Sequence, residues 1–194
     1  GEGYSYVCQT LDMGISYYRL VYARLTGEPF VVAETKNLLI REMTTKDLPE
    51  LYAVYSTLED CQYIEQLYDY DKELEFTKNY IKNMYGFFEY GLWLVFEKKS
   101  GELIGRAGIE NREIDGVTCC EIGYLIRRDM QHKGYAYEAC QAILEYASDE
   151  LGIQEMFAVI DKTNEPSRKL AQKLGFELYA QTDGGPDLYK FVFG

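Results

Sequence analysis

Gln131-His132-Lys133-Gly134-Tyr135-Ala136 carries the pattern Gln-x-x-Gly-x-Ala between two segments of different periodicity. Upstream, Cys120-Glu121-Ile122-Gly123-Tyr124-Leu125-Ile126 reads as a buried strand. Downstream, Tyr135 to Leu151 places Ala139, Ile143, Tyr146 and Ala147 at helical spacing. A glycine at a strand-to-helix junction lets backbone approach a ligand closely. The helix start adds unpaired N–H groups with the positive dipole end behind them. The arrangement suits a pyrophosphate, although the glycine pattern taken alone also describes an ordinary loop entering a helix.

A second element follows. Asn164-Glu165-Pro166-Ser167 opens another helix, with Asn164 as N-cap and Pro166 in the first turn. That helix runs through Arg168, Lys169, Leu170, Ala171, Gln172, Lys173 and Leu174 and stops at Gly175, a left-handed C′ position. Phe176 then begins a strand. The order is strand, Gln-x-x-Gly-x-Ala, helix, strand, Asn-x-x-Ser, helix, Leu-Gly-Phe, strand. It resembles the GNAT superfamily of acyl-CoA-dependent N-acyltransferases, in particular the branch containing ribosomal-protein N-terminal and spermidine acetyltransferases. The resemblance covers roughly Asn37 to the C-terminus. It implies an α+β fold, with a central mixed, mostly antiparallel sheet of about seven strands flanked by about four helices. Residues 37–194 would form the acyltransferase domain, and residues 1–36 an N-terminal extension.

Composition narrows the setting. The chain has 194 residues, 47% hydrophobic and 27% charged, enough for one domain with a substantial core. No apolar run approaches the ~20 residues that span a bilayer, and no basic-then-apolar signal opens the chain, so a cytoplasmic location without membrane contact is expected. Five scattered cysteines (Cys8, Cys61, Cys119, Cys120, Cys140) contain no Cys-x-x-Cys pair. They favour reduced thiols over a metal site or a disulfide framework. A net charge of −12 disfavours nucleic acid and would attract a cationic acceptor such as an amine. Against that background Arg127, Arg128, His132 and Lys133 form a local basic cluster around the glycine loop.

Along the chain, a helix is expected from Ile15 to Leu25, closed by Gly27 and Pro29, in a segment too rich in tyrosine (Tyr4, Tyr6, Tyr17, Tyr18, Tyr22) for a disordered tail. It reads as an extension packed on the domain or on a partner subunit, leaning towards a homodimer, or as the remnant of a further domain upstream. Leu38 to Glu42 is the first strand, followed by a helix capped at Thr44 or Thr45 and running to about Thr57, with Asp47 in its first turn. Residues 60–70 read as irregular, and Glu73 to Tyr85 as a helix. Trp93 to Glu97 and Leu103 to Ile109 pair through Ser100-Gly101, and Asp115-Gly116 turns into Thr118 to Ile126. Phe157 to Ile160, Phe176 to Ala180 and Leu188 to Phe193 complete the sheet.

The resemblance assigns roles. The strand Tyr124-Leu125-Ile126 would splay from its neighbour, and its free backbone groups would pair with the pantetheine of acetyl-CoA. Gln131, His132, Lys133, Gly134, Tyr135 and Ala136 would wrap the pyrophosphate, and Asn164, Ser167 and Arg168 would line the rest of the cofactor site. Glu121 is the candidate general base, with Glu110 and Asn111 as runners-up. Many members carry a tyrosine four residues before the Gly-Phe pair as acid for the leaving thiolate; here that position is Ala171. Ser167, Tyr137 or solvent would then serve. His132 falls inside the phosphate loop, away from the thioester. Cys119 and Cys120 should point to opposite faces of their strand. Tyr63, Tyr68 and Tyr70 could line an acceptor groove. No metal is implied. The expected activity is acetyl transfer from acetyl-CoA to a small-molecule or peptide amine (a protein N-terminus or a polyamine among them), in a ternary complex. Two alternatives are a non-catalytic acyl-CoA-binding or sensing module, and a glycine loop for another nucleotide.

Overall fold

The computed structural model describes residues 15–114 and 116–194. Tyr4, Tyr6 and Cys8, and Asp115 of the expected tight turn, lie outside the described residues. In chain order the elements are α1 (Ile15–Thr26), β1 (Val31–Glu34), β2 (Leu38–Arg41), a 3₁₀ turn (Thr45–Asp47), α2 (Leu48–Ser56) and α3 (Tyr70–Tyr80), which continues as a π-helix (Ile81–Phe88). Then come β3 (Leu92–Glu97), β4 (Leu103–Ile114), β5 (Val117–Ile126), a 3₁₀ turn (Arg128–Met130), α4 (Tyr135–Asp149), β6 (Glu155–Ile160), α5 (Glu165–Lys173), β7 (Glu177–Gln181) and β8 (Asp187–Val192).

The strands form one sheet in the order β1-β2-β3-β4-β5-β6-β8-β7. Every neighbouring pair is antiparallel except β5 with β6. Side-chain alternation along β4 separates the two layers. Arg106 points towards Tyr55 of α2 and Tyr80 of α3. Ala107 shares the opposite face with its partner Trp93, whose ring meets Tyr146 of α4 at 5.5 Å. The core lies between sheet and helices, with Leu38, Ile40, Trp93, Leu94, Ile104, Ile109 and Ile143 fully enclosed.

Among the described residues the sheet has eight strands where about seven were expected. The additional strand, β1, lies within the segment read as an extension and pairs with β2. Helix α1 packs Leu20 and Ala23 on Phe30. Its Arg24 grips buried Glu42 through two 2.7 Å hydrogen bonds and donates at 2.8 Å to the Tyr85 carbonyl. The helix expected over Glu73 to Tyr85 begins at Tyr70 and turns π-helical from Ile81, and Glu89 ends it in a left-handed conformation at φ 62°. The expected helix from Thr44 is a 3₁₀ turn joined to α2. Asp47 holds that entry by accepting from Thr44 N at 2.7 Å and from Arg41 at 2.6 Å.

Candidate active site

β5 is paired along its full length with β4, from Gly105↔Ile126 to Ile114↔Val117. Its contact with β6 is different: Glu121↔Phe157 is the single register pair, after which the two strands part. β6 remains bonded on its other side to β8, from Glu155↔Val192 to Ile160↔Asp187. The facing edges of β5 from Ile122 to Ile126 and of β6 from Ala158 to Ile160 therefore carry strand backbone groups turned into an open wedge. Such groups must be met by solvent or by a ligand with its own amides. Tyr124, Leu125 and Ile126 lie along this wedge.

The wedge opens towards the start of α4. Gln131 Nε2 donates to the Ile126 carbonyl at 2.9 Å and ties the loop to the strand end. His132 has φ 61° and Gly134 φ 87°, so consecutive backbone groups curl around a concave surface. A Cβ at Gly134 would meet nothing within 4 Å, so open space lies in front of the loop. The N–H groups of His132, Lys133, Gly134, Tyr135 and Ala136 find no acceptor among the described residues. Unpaired donors, a positive helix end and free space are what a diphosphate requires. The helix start is fixed from behind: Glu138 accepts from Thr35 Oγ1 at 2.6 Å and from Asn37 N and Nδ2 at 2.8 Å each, and Tyr135 hydrogen-bonds Glu97.

The two arginines of the basic cluster read around this loop are not free charge. Arg127 is held by Asp129 and Glu102, each at 2.8 Å, and Arg128 pairs with Asp60 and donates at 2.7 Å to the Thr57 carbonyl. Lys133 Nζ lies 3.1 Å from Met130 Sδ, and His132 is exposed. Sequence proximity grouped these cations, but the 3₁₀ turn at Arg128–Met130 directs the arginines at neighbouring acids. The donors left facing the open space are the backbone N–H groups of the loop, with Lys133 and His132 beside them.

Glu110 and Glu121 face each other across β4 and β5 on the α2/α3 side of the sheet. Glu121 is 7% exposed and accepts from Arg112. Glu110 lies over the next glycine along: a Cβ at Gly123 would sit 3.3 Å from its Oε2. Burial pushes the Glu110 carboxyl above the usual carboxylate range, against the pull of Arg106 and with a further upward push from Glu121. Arg106 is itself 6% exposed, its guanidinium 5.2 Å from the Tyr80 ring centroid and its Nε unpaired. Asn111 points to the other face and accepts from Tyr90 at 2.6 Å.

On the α4/α5 side, the first turn of α5 reaches across the wedge. Asn164 caps that helix by accepting from Ser167 N at 3.2 Å, and the Ser167 hydroxyl lies 2.7 Å from the Tyr124 hydroxyl. Ala171, one turn further on, is buried. Arg168 is anchored to the Lys162 carbonyl at 3.2 Å and the Tyr189 hydroxyl at 3.3 Å. Gly175 ends the helix at φ 95°. Tyr137 is not part of this group; its ring lies under Lys173 Nζ at 4.1 Å in an outer groove with Leu174, Phe191 and Phe193. Tyr63 hydrogen-bonds Thr163 at 2.9 Å beside the wedge, whereas Tyr70 packs at a tilt against Tyr52 and Tyr68 edge-on against Phe76, the ring centroids of each pair 5.9 Å apart. The Tyr124–Ser167 contact was missed by sequence reasoning. Tyr124 was read for its backbone, and no spacing rule pairs residues 43 positions apart.

The family described as "Acetyltransferase (GNAT) domain" matches residues 37–177, and the chain belongs to it. The chain is 32% identical over 134 residues to the uncharacterised protein YkkB of Bacillus subtilis, covering 69% of this chain and 72% of that one. It is 33% identical over 143 residues to the uncharacterised N-acetyltransferase YnaD of the same organism, covering 73% and 79%. Among solved structures, the fold is similar to RimL, a ribosomal L7/L12 α-N-protein acetyltransferase, in complex with coenzyme A. The TM-score is 0.68 at 15% identity, covering 84% of this chain and 97% of that one. Among the described residues, no helix is long and apolar enough to cross a membrane.

Proposed function

We propose that this member of the GNAT acetyltransferases moves an acetyl group from acetyl-CoA to a primary amine, by direct attack in a ternary complex. The observation that carries the reading is the parting of β5 from β6 after Glu121↔Phe157, directly beside the glycine loop at the start of α4. Coenzyme A supplies an activated thioester, a pantetheine arm with two amides and a diphosphate. The wedge edges would pair with the amides, and the N–H groups of residues 132–136 would hold the diphosphate. The coenzyme A complex of RimL supports the choice of ligand.

Glu110 is the general base of this scheme. It takes a proton from the acceptor ammonium and frees the nitrogen lone pair, and its raised pKa brings it closer to an amine than an ordinary carboxylate would be. Glu121, ion-paired to Arg112 and opposite Glu110 across the two strands, lines the face from which the ammonium would approach. The acceptor is cationic, in keeping with the net charge of −12. A protein N-terminus, a polyamine and a small-molecule amine all qualify.

The test is free-thiol release from acetyl-CoA with a panel of amines and peptide N-termini. Glu110→Gln should lower kcat/KM by roughly 10²–10⁴ and remove the acid limb of the pH profile. Glu121→Gln should keep that limb. The reverse outcome would move the base to Glu121, and coenzyme A binding without turnover on any acceptor would favour the sensing module.

A further inference from the structure

The hydroxyl pair Tyr124–Ser167 spans the wedge from β5 to α5, at the end where the helix position expected to carry a tyrosine is Ala171. The Tyr124 hydroxyl has Ser167 Oγ as its partner among the described residues; either oxygen can donate, and the phenol is the more acidic hydroxyl and so the better donor of the two. The serine N–H is already committed to Asn164. With Oγ accepting from the phenol, the one proton left on this pair is the serine's own, and it is free to turn into the wedge.

We propose that Tyr124 is a positioning residue for the leaving group: by donating to Ser167 Oγ it aims the Ser167 O–H at the departing sulfur, which leaves as a hydrogen-bonded thiolate. The inference rests on the acetyl-transfer reading above. In the step itself the acceptor nitrogen forms the C–N bond and the C–S bond breaks with its electron pair going to sulfur. Of the two ammonium protons lost, one goes to Glu110 and one to solvent; neither hydroxyl gives up its proton. Burial raises the Tyr124 phenol further above a thiol's ordinary value near 8.5, so proton transfer from the pair to sulfur would run uphill, whereas hydrogen bonding costs no ionisation.

The consequence can be read without knowing the acceptor. A hydrogen bond from a neutral donor to an ion shifts its ionisation by roughly one to two pH units. The thiol of coenzyme A bound to the wild-type protein should therefore titrate about that far below the free thiol. The shift is followed by thiolate ultraviolet absorbance against a desulfo-coenzyme A blank. Ser167→Ala should abolish it. Tyr124→Phe should remove at least half, while calorimetric affinity for coenzyme A at neutral pH stays within about twofold of wild type. An unshifted thiol in the wild-type complex, an undiminished shift in either variant, or lost affinity in Tyr124→Phe would each overturn the proposal. Failure of the wild-type protein to bind coenzyme A would instead remove the reading on which it rests.

Discussion

Replacing Gly134 by glutamate separates the anion-binding role of the loop from its role in folding. Gly134 sits at φ 87° and ψ −3°, and a side chain there would meet nothing within 4 Å. The folding cost is therefore that of a left-handed backbone alone, about 1–2 kcal/mol. At about 2–4 °C per kcal/mol for a chain of this size, the melting temperature falls by roughly 2–8 °C. Gly134→Ala carries the same backbone cost without the charge. On ligand binding the two variants diverge. At about a hundredfold excess over Kd, coenzyme A stabilises the wild-type protein by ~2.7 kcal/mol. A carboxylate about 4 Å from one diphosphate charge repels it by about 4 kcal/mol at an effective dielectric of 20. That weakens Kd about a thousandfold and leaves no measurable stabilisation. Thermal unfolding with and without coenzyme A should show a ligand-induced rise of several degrees for wild type and Gly134→Ala, and none for Gly134→Glu. Equal rises for the alanine and glutamate variants would refute the assignment of this loop to the pyrophosphate.

Two further outcomes test the frame around the site. Burial alone would raise the Asp47 carboxyl, but hydrogen bonds from Arg41 and Thr44 outweigh it and hold the group below the usual carboxylate range. Its contribution is thus present above the unfolded value near 3.9 and is lost as pH falls through the folded value. Asp47→Ala should cost about 2–3 kcal/mol in urea unfolding at pH 7. The gap to wild type should shrink below about pH 4; a gap independent of pH would contradict the assignment. Arg24→Met leaves Glu42, 4% exposed, with the Phe30 N–H at 3.2 Å as its remaining cross-strand donor. The expected loss is about 2 kcal/mol, discounted from the cost of breaking a fully buried pair because the arginine is a third exposed. Adding Glu42→Gln should restore at least half of it, and no recovery would mean that α1 docks through its apolar contacts instead.

Much of this fold was legible because its signals are local. The glycine at Gly134, the Asn164 cap and the Gly175 stop each act within one helical turn, and all three stand where the sequence put them. The strand β1 escaped because Val31-Val32-Ala33-Glu34 is short and lay in a segment outside the family pattern; the β-branched pair after Gly27 and Pro29 was its only signal. The π-helical continuation of α3 has no periodicity distinct from a helix over eight residues. At the site, sequence spacing could propose residues but not their wiring. The charges of Arg127 and Arg128 are consumed by Glu102, Asp129 and Asp60, and two of these contacts span 25 and 68 positions. Long-range partners of that kind are set by tertiary packing and leave no mark on spacing.

The alternation of a single strand arranges the chemistry. Along β5, Glu121 and Gly123, with Glu110 above it, look towards α2 and α3, while Tyr124 looks towards α4 and α5. A thioester held along the open edge of β5 would then have the proton acceptor on one face of the sheet and the hydroxyl pair on the other. Attack by the amine and departure of sulfur need opposite services: one removes positive charge from nitrogen, the other steadies negative charge on sulfur. Placing both on one face would bring a carboxylate against a thiolate at a few ångströms, a repulsion of about 4 kcal/mol at the same effective dielectric. The strand's two-residue period separates them without any loop rearrangement. On the proposed scheme it would also account for Ala171. A phenol on α5 and a phenol on β5 reach the same face of the wedge, so in the scheme proposed above the Tyr124–Ser167 pair, with the serine hydroxyl towards sulfur, would stand in for the tyrosine absent from the helix.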